Sequence, residues 1–160
     1  MASTIFPTWP HILFAILEPL SLLGGWLCPI LDLPGFITDQ IPNQPAPASI
    51  HPSSVALAYQ LANLYGLLCL LGIATVYSTR EPVVLRNYLL ALAVADVGHV
   101  YVTGLAMGWD VFMDVANWNV LTWGNVGATT FLFANRLLYL AGVFGYAQVP
   151  TAGAGGKKRA

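Results

Sequence analysis

Apolar residues fall into four long runs separated by polar, proline-rich or glycine-rich stretches. The runs are His11 to Leu31, Ser54 to Tyr77, about Asn87 to Met107 and about Asn119 to Tyr146. Each reaches the roughly 20 residues that a helix needs to cross about 30 Å of hydrocarbon. Backbone polar groups in lipid must pair within their own segment, so the runs predict helices and not open strands. Residues 32 to 53 hold five prolines and two aspartates, which predicts an extended loop. Ser78 to Pro82 reads as a short turn, and Gly108 to Trp118 as a partial interfacial turn. Residues 147–160 read as a flexible basic tail after the last run. The expectation is an all-α, four-helix transmembrane bundle in one domain.

Composition agrees with a lipid-embedded chain. Hydrophobic residues make up 57% of it and charged residues 8%, against about 25% charged in an ordinary soluble domain. A net charge of -1 gives no basic face for phosphate, so nucleic acid is not expected as a partner. Cys28 and Cys69 stand alone in apolar runs, without the spacing of a metal site or disulfide framework. The first run has no preceding positive charge, so it reads as a retained span and not a signal peptide.

With four spans, Arg80, Arg86, Lys157, Lys158 and Arg159 fall on one side of the membrane. The other side has Asp32, Asp39, Asp110 and Asp114 and no Lys or Arg. The positive-inside rule then puts both termini in the cytosol. Lys157 and Lys158 look like a dilysine retrieval signal, which points to the endoplasmic reticulum membrane; a simple basic anchor is the alternative.

Ionisable groups inside spans carry the chemical information, because charge in hydrocarbon costs about 2.5–3.5 kcal/mol on insertion scales. At 1.5 Å per residue, Glu18 lies about 10 Å from the cytosolic face, Asp96 and Arg136 about 15 Å, and His99 about 20 Å. Asp96 and His99 are three apart and share a helix face. Gln60, Asn63 and Tyr65 on the second run, with Trp123 and Asn125 on the fourth, are candidates to position a substrate. Arg136 can instead serve structure, pairing Glu18 or Asp96 to hold the bundle in register. One arginine neutralises one carboxyl, and a carboxyl kept in its acid form beside an ionised one makes an acid–base pair. Glu18, Asp96 and His99 are therefore the catalytic candidates, and Arg136 orients or neutralises them. Which acid donates stays open, because coupled groups titrate as a unit. Such chemistry needs no cofactor and no metal.

Several segments bring a family into view: Glu18-Pro19, Gln60-Leu61-Ala62-Asn63-Leu64-Tyr65, Ala95-Asp96-Val97-Gly98-His99, Trp118-Asn119, Trp123-Gly124-Asn125 and Arg136. Together they resemble a group of small fungal integral-membrane proteins known as a domain of unknown function. That group includes epoxide hydrolases of aurovertin- and citreoviridin-type pathways. More distantly the chain is similar to fungal transmembrane terpene cyclases, which have more spans. The resemblance implies a secondary-metabolite enzyme that opens an epoxide, by hydrolysis or cyclisation, in a lipophilic polyketide or terpenoid. Double-bond isomerisation is a further enzymatic option. The rivals are a non-catalytic lipid-binding or assembly protein and, less readily, a transporter. The expected partners are a lipophilic small molecule and membrane lipid, and a homodimer is open.

Overall fold

A computed structural model describes residues 4–145, and within them the chain is all-helical, without strands. Three helices are long and apolar enough to cross a membrane: α1 (Thr8–Leu31), α3 (Pro52–Ser78) and α4 (Pro82–Met107). Between α1 and α3 lies the short α2 (Leu33–Thr38). Beyond α4 come α5 (Trp109–Met113), a 3-10 turn (Val115–Asn117) and α6, a continuous helical run over 120–140. The fourth run is thus helical, yet shorter and more polar than the other three. The expected tail at 147–160 lies outside the described residues.

Helix ends follow local chemistry. Pro52 and Pro82 each open a helix at a position where no N–H is required. The His51 ring accepts from the Ser53 amide at 3.1 Å. Asn119 caps α6, its Oδ1 accepting from the Thr122 amide at 2.8 Å and from the Thr122 hydroxyl at 2.9 Å. Gly108 ends α4 with φ at 80°, a conformation that L side chains adopt rarely. One expectation is corrected in the 32–53 stretch, where a helical turn replaces extended loop. Asp32 Oδ1 accepts from the Gly35 amide at 3.0 Å and Pro34 sits in the first turn, so a local cap nucleates α2 despite the prolines nearby.

Packing divides the molecule into two helix pairs. α1 lies along α3, and α4 lies along α6, while α3 and α4 touch much less although only a short turn joins them. The buried stripe of α3 is made of small residues, Ala58, Ala62, Gly66, Cys69 and Gly72, of which Gly66 and Cys69 meet α1 and Gly72 meets Tyr88 of α4. Close approach needs that smallness. A Cβ on Gly66 would stand 2.8 Å from the Trp26 indole, and one on Gly25 would stand 3.0 Å from the Tyr65 ring.

The bundle has two unlike ends. Ile5, Phe6, Leu13, Phe14, Val76, Leu85, Leu89 and Tyr139 form one buried apolar cluster, which brings together the start of α1, the end of α3, the start of α4 and the end of α6. Arg80 and Arg86 belong to this end. The opposite end gathers α2, α5 and the start of α6, where the Asn119 amide donates to the Asp39 carbonyl at 2.9 Å. Asp32, Asp39, Asp110 and Asp114 lie there. Outward faces of all the long helices are lined with exposed Leu, Ile and Val, which suits acyl chains.

Candidate functional site

Glu18 is placed by an irregular stretch of α1. His11–Leu17 is wound as a π-helix, and Pro19 follows Glu18 directly. Pro19 has no N–H to offer the Ala15 carbonyl four residues back. The Tyr77 hydroxyl of α3 donates to that carbonyl instead, at 3.2 Å. The thiol of Cys69 donates to the Pro19 carbonyl at 3.4 Å. Two side chains of α3 thus hold the backbone on either side of the acid.

Arg136 on α6 joins the two helix pairs. Its Nη1 donates to Asp96 Oδ2 of α4 at 2.5 Å. Its Nη2 donates to Glu18 Oε1 of α1. Side-chain exposure is 1% for Arg136, 9% for Glu18 and 12% for Asp96, so the carboxyls have almost lost water and depend on the guanidinium. The Phe14 ring lies 5.5 Å from the guanidinium carbon and covers one of its faces. Arg136 Nε is buried with no hydrogen-bond partner among the described residues. With both acids ionised the triad sums to a charge of −1; one proton brings it to zero.

The other expected residues are placed differently. His99 is half-buried and makes no side-chain hydrogen bond or ion pair among the described residues, while its carbonyl accepts from the Thr103 hydroxyl at 2.7 Å. Spacing put His99 on the Asp96 side of α4, but Arg136 takes the carboxylate. Gln60 and Asn63 are exposed, on the face of α3 turned from the buried small-residue stripe. The structure does not bring them to the triad. Tyr65 and Asn125 do meet: the Tyr65 hydroxyl donates to Asn125 Oδ1 at 3.5 Å, and Asn125 Nδ2 donates to Gln40 Oε1 at 3.4 Å. That chain links α3, α6 and the α2 segment toward the acidic end. Trp123 is exposed, stacks edge-on against Trp118 at 5.1 Å between centroids, and rests on Gly127.

Two residues beside the triad are not among the candidate site residues. Asn135 is buried; its Oδ1 accepts from Trp9 Nε1 at 2.9 Å and its Nδ2 donates to the Phe131 carbonyl at 2.9 Å. This fastens α6 to the first turn of α1 next to Arg136. Tyr88 on α4 reaches Gly72 of α3, where a Cβ would stand 2.8 Å from its hydroxyl, and it lies within electrostatic range of Glu18, Arg136 and Cys69. No spacing rule marks a tyrosine in an apolar run, but Gly72 opposite it is the signal of a close approach.

Among the described residues no group of three or more His, Cys, Asp or Glu side chains is placed to hold a metal ion. A cleft of about 370 Å³ opens at the acidic end between residues 42–44 and 110–117, away from the triad. What the triad itself offers is a desolvated pair of carboxyls sharing one cation.

Comparison with known sequences and structures sets this geometry in a family. No curated protein and no solved structure matches the chain. A family profile described as a domain of unknown function, DUF7704, matches residues 3–146. The match takes in all three long helices, α6 and every member of the triad, and the chain belongs to the DUF7704 family.

Proposed function

We propose that the protein is a membrane-embedded acid–base enzyme that opens an epoxide in a lipophilic polyketide or terpenoid substrate reaching it from the bilayer. The observation that carries this reading is the convergence of Glu18 and Asp96, from two different helices, on the single cation of Arg136. One proton shared by the pair leaves one acid form and one carboxylate. The protonated carboxyl gives its proton to the epoxide oxygen as a C–O bond breaks. Water attacks the carbon, and the carboxylate takes a proton from that water, giving a vicinal diol. The pair ends with its proton exchanged and resets by passing it back. If an internal hydroxyl replaces water, the same steps give a cyclic ether. His99, half-buried one turn along α4 from Asp96, would contact the substrate and not the acid.

The topology belongs to the same proposal. Thr122, Val126, Asn135 and Arg136 of α6 turn inward, whereas Val120, Phe131, Leu137 and Leu138 are exposed. A helix that turns its polar side chains into the bundle can cross as the fourth span, which puts both ends of the chain with Arg80 and Arg86 on the cytosolic side. The proposed compartment is the endoplasmic reticulum membrane, on the strength of Lys157-Lys158.

A second reading, in which the triad only fastens helices in a lipid-binding or assembly protein, is favoured by the 1% exposure of Arg136. Membranes containing the protein, incubated with a panel of polyene and terpenoid epoxides, separate the two. The enzyme reading expects diol or cyclic ether from at least one of them, reduced about 10²–10⁴-fold in Glu18→Gln and in Asp96→Asn at equal protein level. Full turnover in both variants ends the acid–base proposal. Lowered protein level with no chemistry from the wild type supports the fastening role.

A further inference from the structure

α3 has a second face that the fold leaves uncovered. Ala56, Gln60, Asn63, Leu67, Leu70 and Ala74 are all exposed. They recur at alternating intervals of four and three residues, which aligns them as one seam along the helix. The seam lies across the helix from the small-residue stripe that packs on α1. Counted at about 1.5 Å per residue, Asn63 lies about 3 Å and Gln60 about 8 Å from the middle of α3. Both therefore fall within the roughly 15 Å half-thickness of the hydrocarbon. Neither amide has a hydrogen-bond partner among the described residues. Ser21 and Thr103, by contrast, donate to carbonyls of their own helices at 2.8 and 2.7 Å.

We propose that this seam is the contact between two copies of the chain, α3 against α3, with Gln60 and Asn63 paired across it. Copies inserted in one membrane share one orientation. A twofold axis along the membrane normal then sets each amide opposite its own counterpart at equal depth. An amide is both donor and acceptor, so the face is complementary to itself. Acyl chains offer neither partner, and amides inside the membrane act as glue between helices. Ala56 and Ala74 leave the two ends of the seam free of bulk. The contact requires nothing of the triad.

The test follows the full-length protein, labelled with donor and acceptor dyes, by energy transfer in liposomes over a range of protein-to-lipid ratios. The wild type is expected to form dimers, and the Gln60→Leu/Asn63→Leu double variant to associate at least about tenfold more weakly. Val97→Leu, on the outward face of α4, should associate as the wild type does. A wild type that stays monomeric at every ratio overturns the proposal. So does equal association of the double variant, or recovery of a different protein on this face in place of a second copy. Should the double variant not accumulate, oxidation of Leu67→Cys is expected to give a disulfide-linked dimer and Val97→Cys none. The opposite pattern overturns it.

Discussion

The two ends of the bundle are held by different forces. At the basic end, nonadjacent parts of the chain meet in an apolar cluster, and the buried triad lies just beneath it. Toward the acidic end the pairs are tied by polar contacts instead: a 2.9 Å bond from the Asn119 amide to the Asp39 carbonyl where the helix caps meet, and long ones inside the bundle, 3.5 Å from Tyr65 to Asn125 and 3.4 Å from Asn125 to Gln40. Hydrogen bonds at that length contribute little. The pairs are thus pinned by a buried apolar cluster and a buried ion triad at one end, and inside the bundle toward the other end only by long polar contacts.

Mutations can sharpen or break that contrast. The largest effect is expected from Arg136→Met, which leaves two buried carboxyls without a cation and should cost about 3–5 kcal/mol, read as early thermal unfolding in nanodiscs. Leu89→Ala comes next: the residue is fully buried in the apolar cluster, and the cavity should cost about 2–5 kcal/mol by the same assay. Tyr65→Phe, which removes only the 3.5 Å contact to Asn125, should cost no more than about 0.5 kcal/mol, the low limit for a neutral hydrogen bond. A Tyr65→Phe loss equal to that of Leu89→Ala would abolish the contrast.

Much of this was legible in the sequence. The long helices were visible because a membrane span is set by run length and apolarity, which are additive along the chain. The triad was visible in part: counting residues from the span ends puts Glu18, Asp96 and Arg136 at nearly one depth, but Arg136 was expected to neutralise one carboxyl and it bonds both. Direction around a helix was harder to read. Asn63 lies at the depth of His99, yet it and Gln60 face away from the site, because the small residues at 58, 62, 66 and 69 decide which side of α3 meets α1. His99 follows Asp96 by three residues, yet the carboxylate is claimed by an arginine 40 positions further on. The bond from Trp9 to Asn135 spans 126 positions and leaves no local trace. The turn at α2 was hidden because an Asp32 cap outweighed the prolines that suggested extended chain.

The charge of Arg136, shared between Glu18 and Asp96, joins the two helix pairs. Thermal unfolding of Arg136→Met, compared with Arg136→Met/Glu18→Gln/Asp96→Asn in the same nanodiscs, tests it directly. Removing the cation alone should lower the midpoint sharply, and removing all three charges together should restore most of the loss, since no bare carboxyl is left buried. An Arg136→Met protein that unfolds at the wild-type temperature would contradict the account.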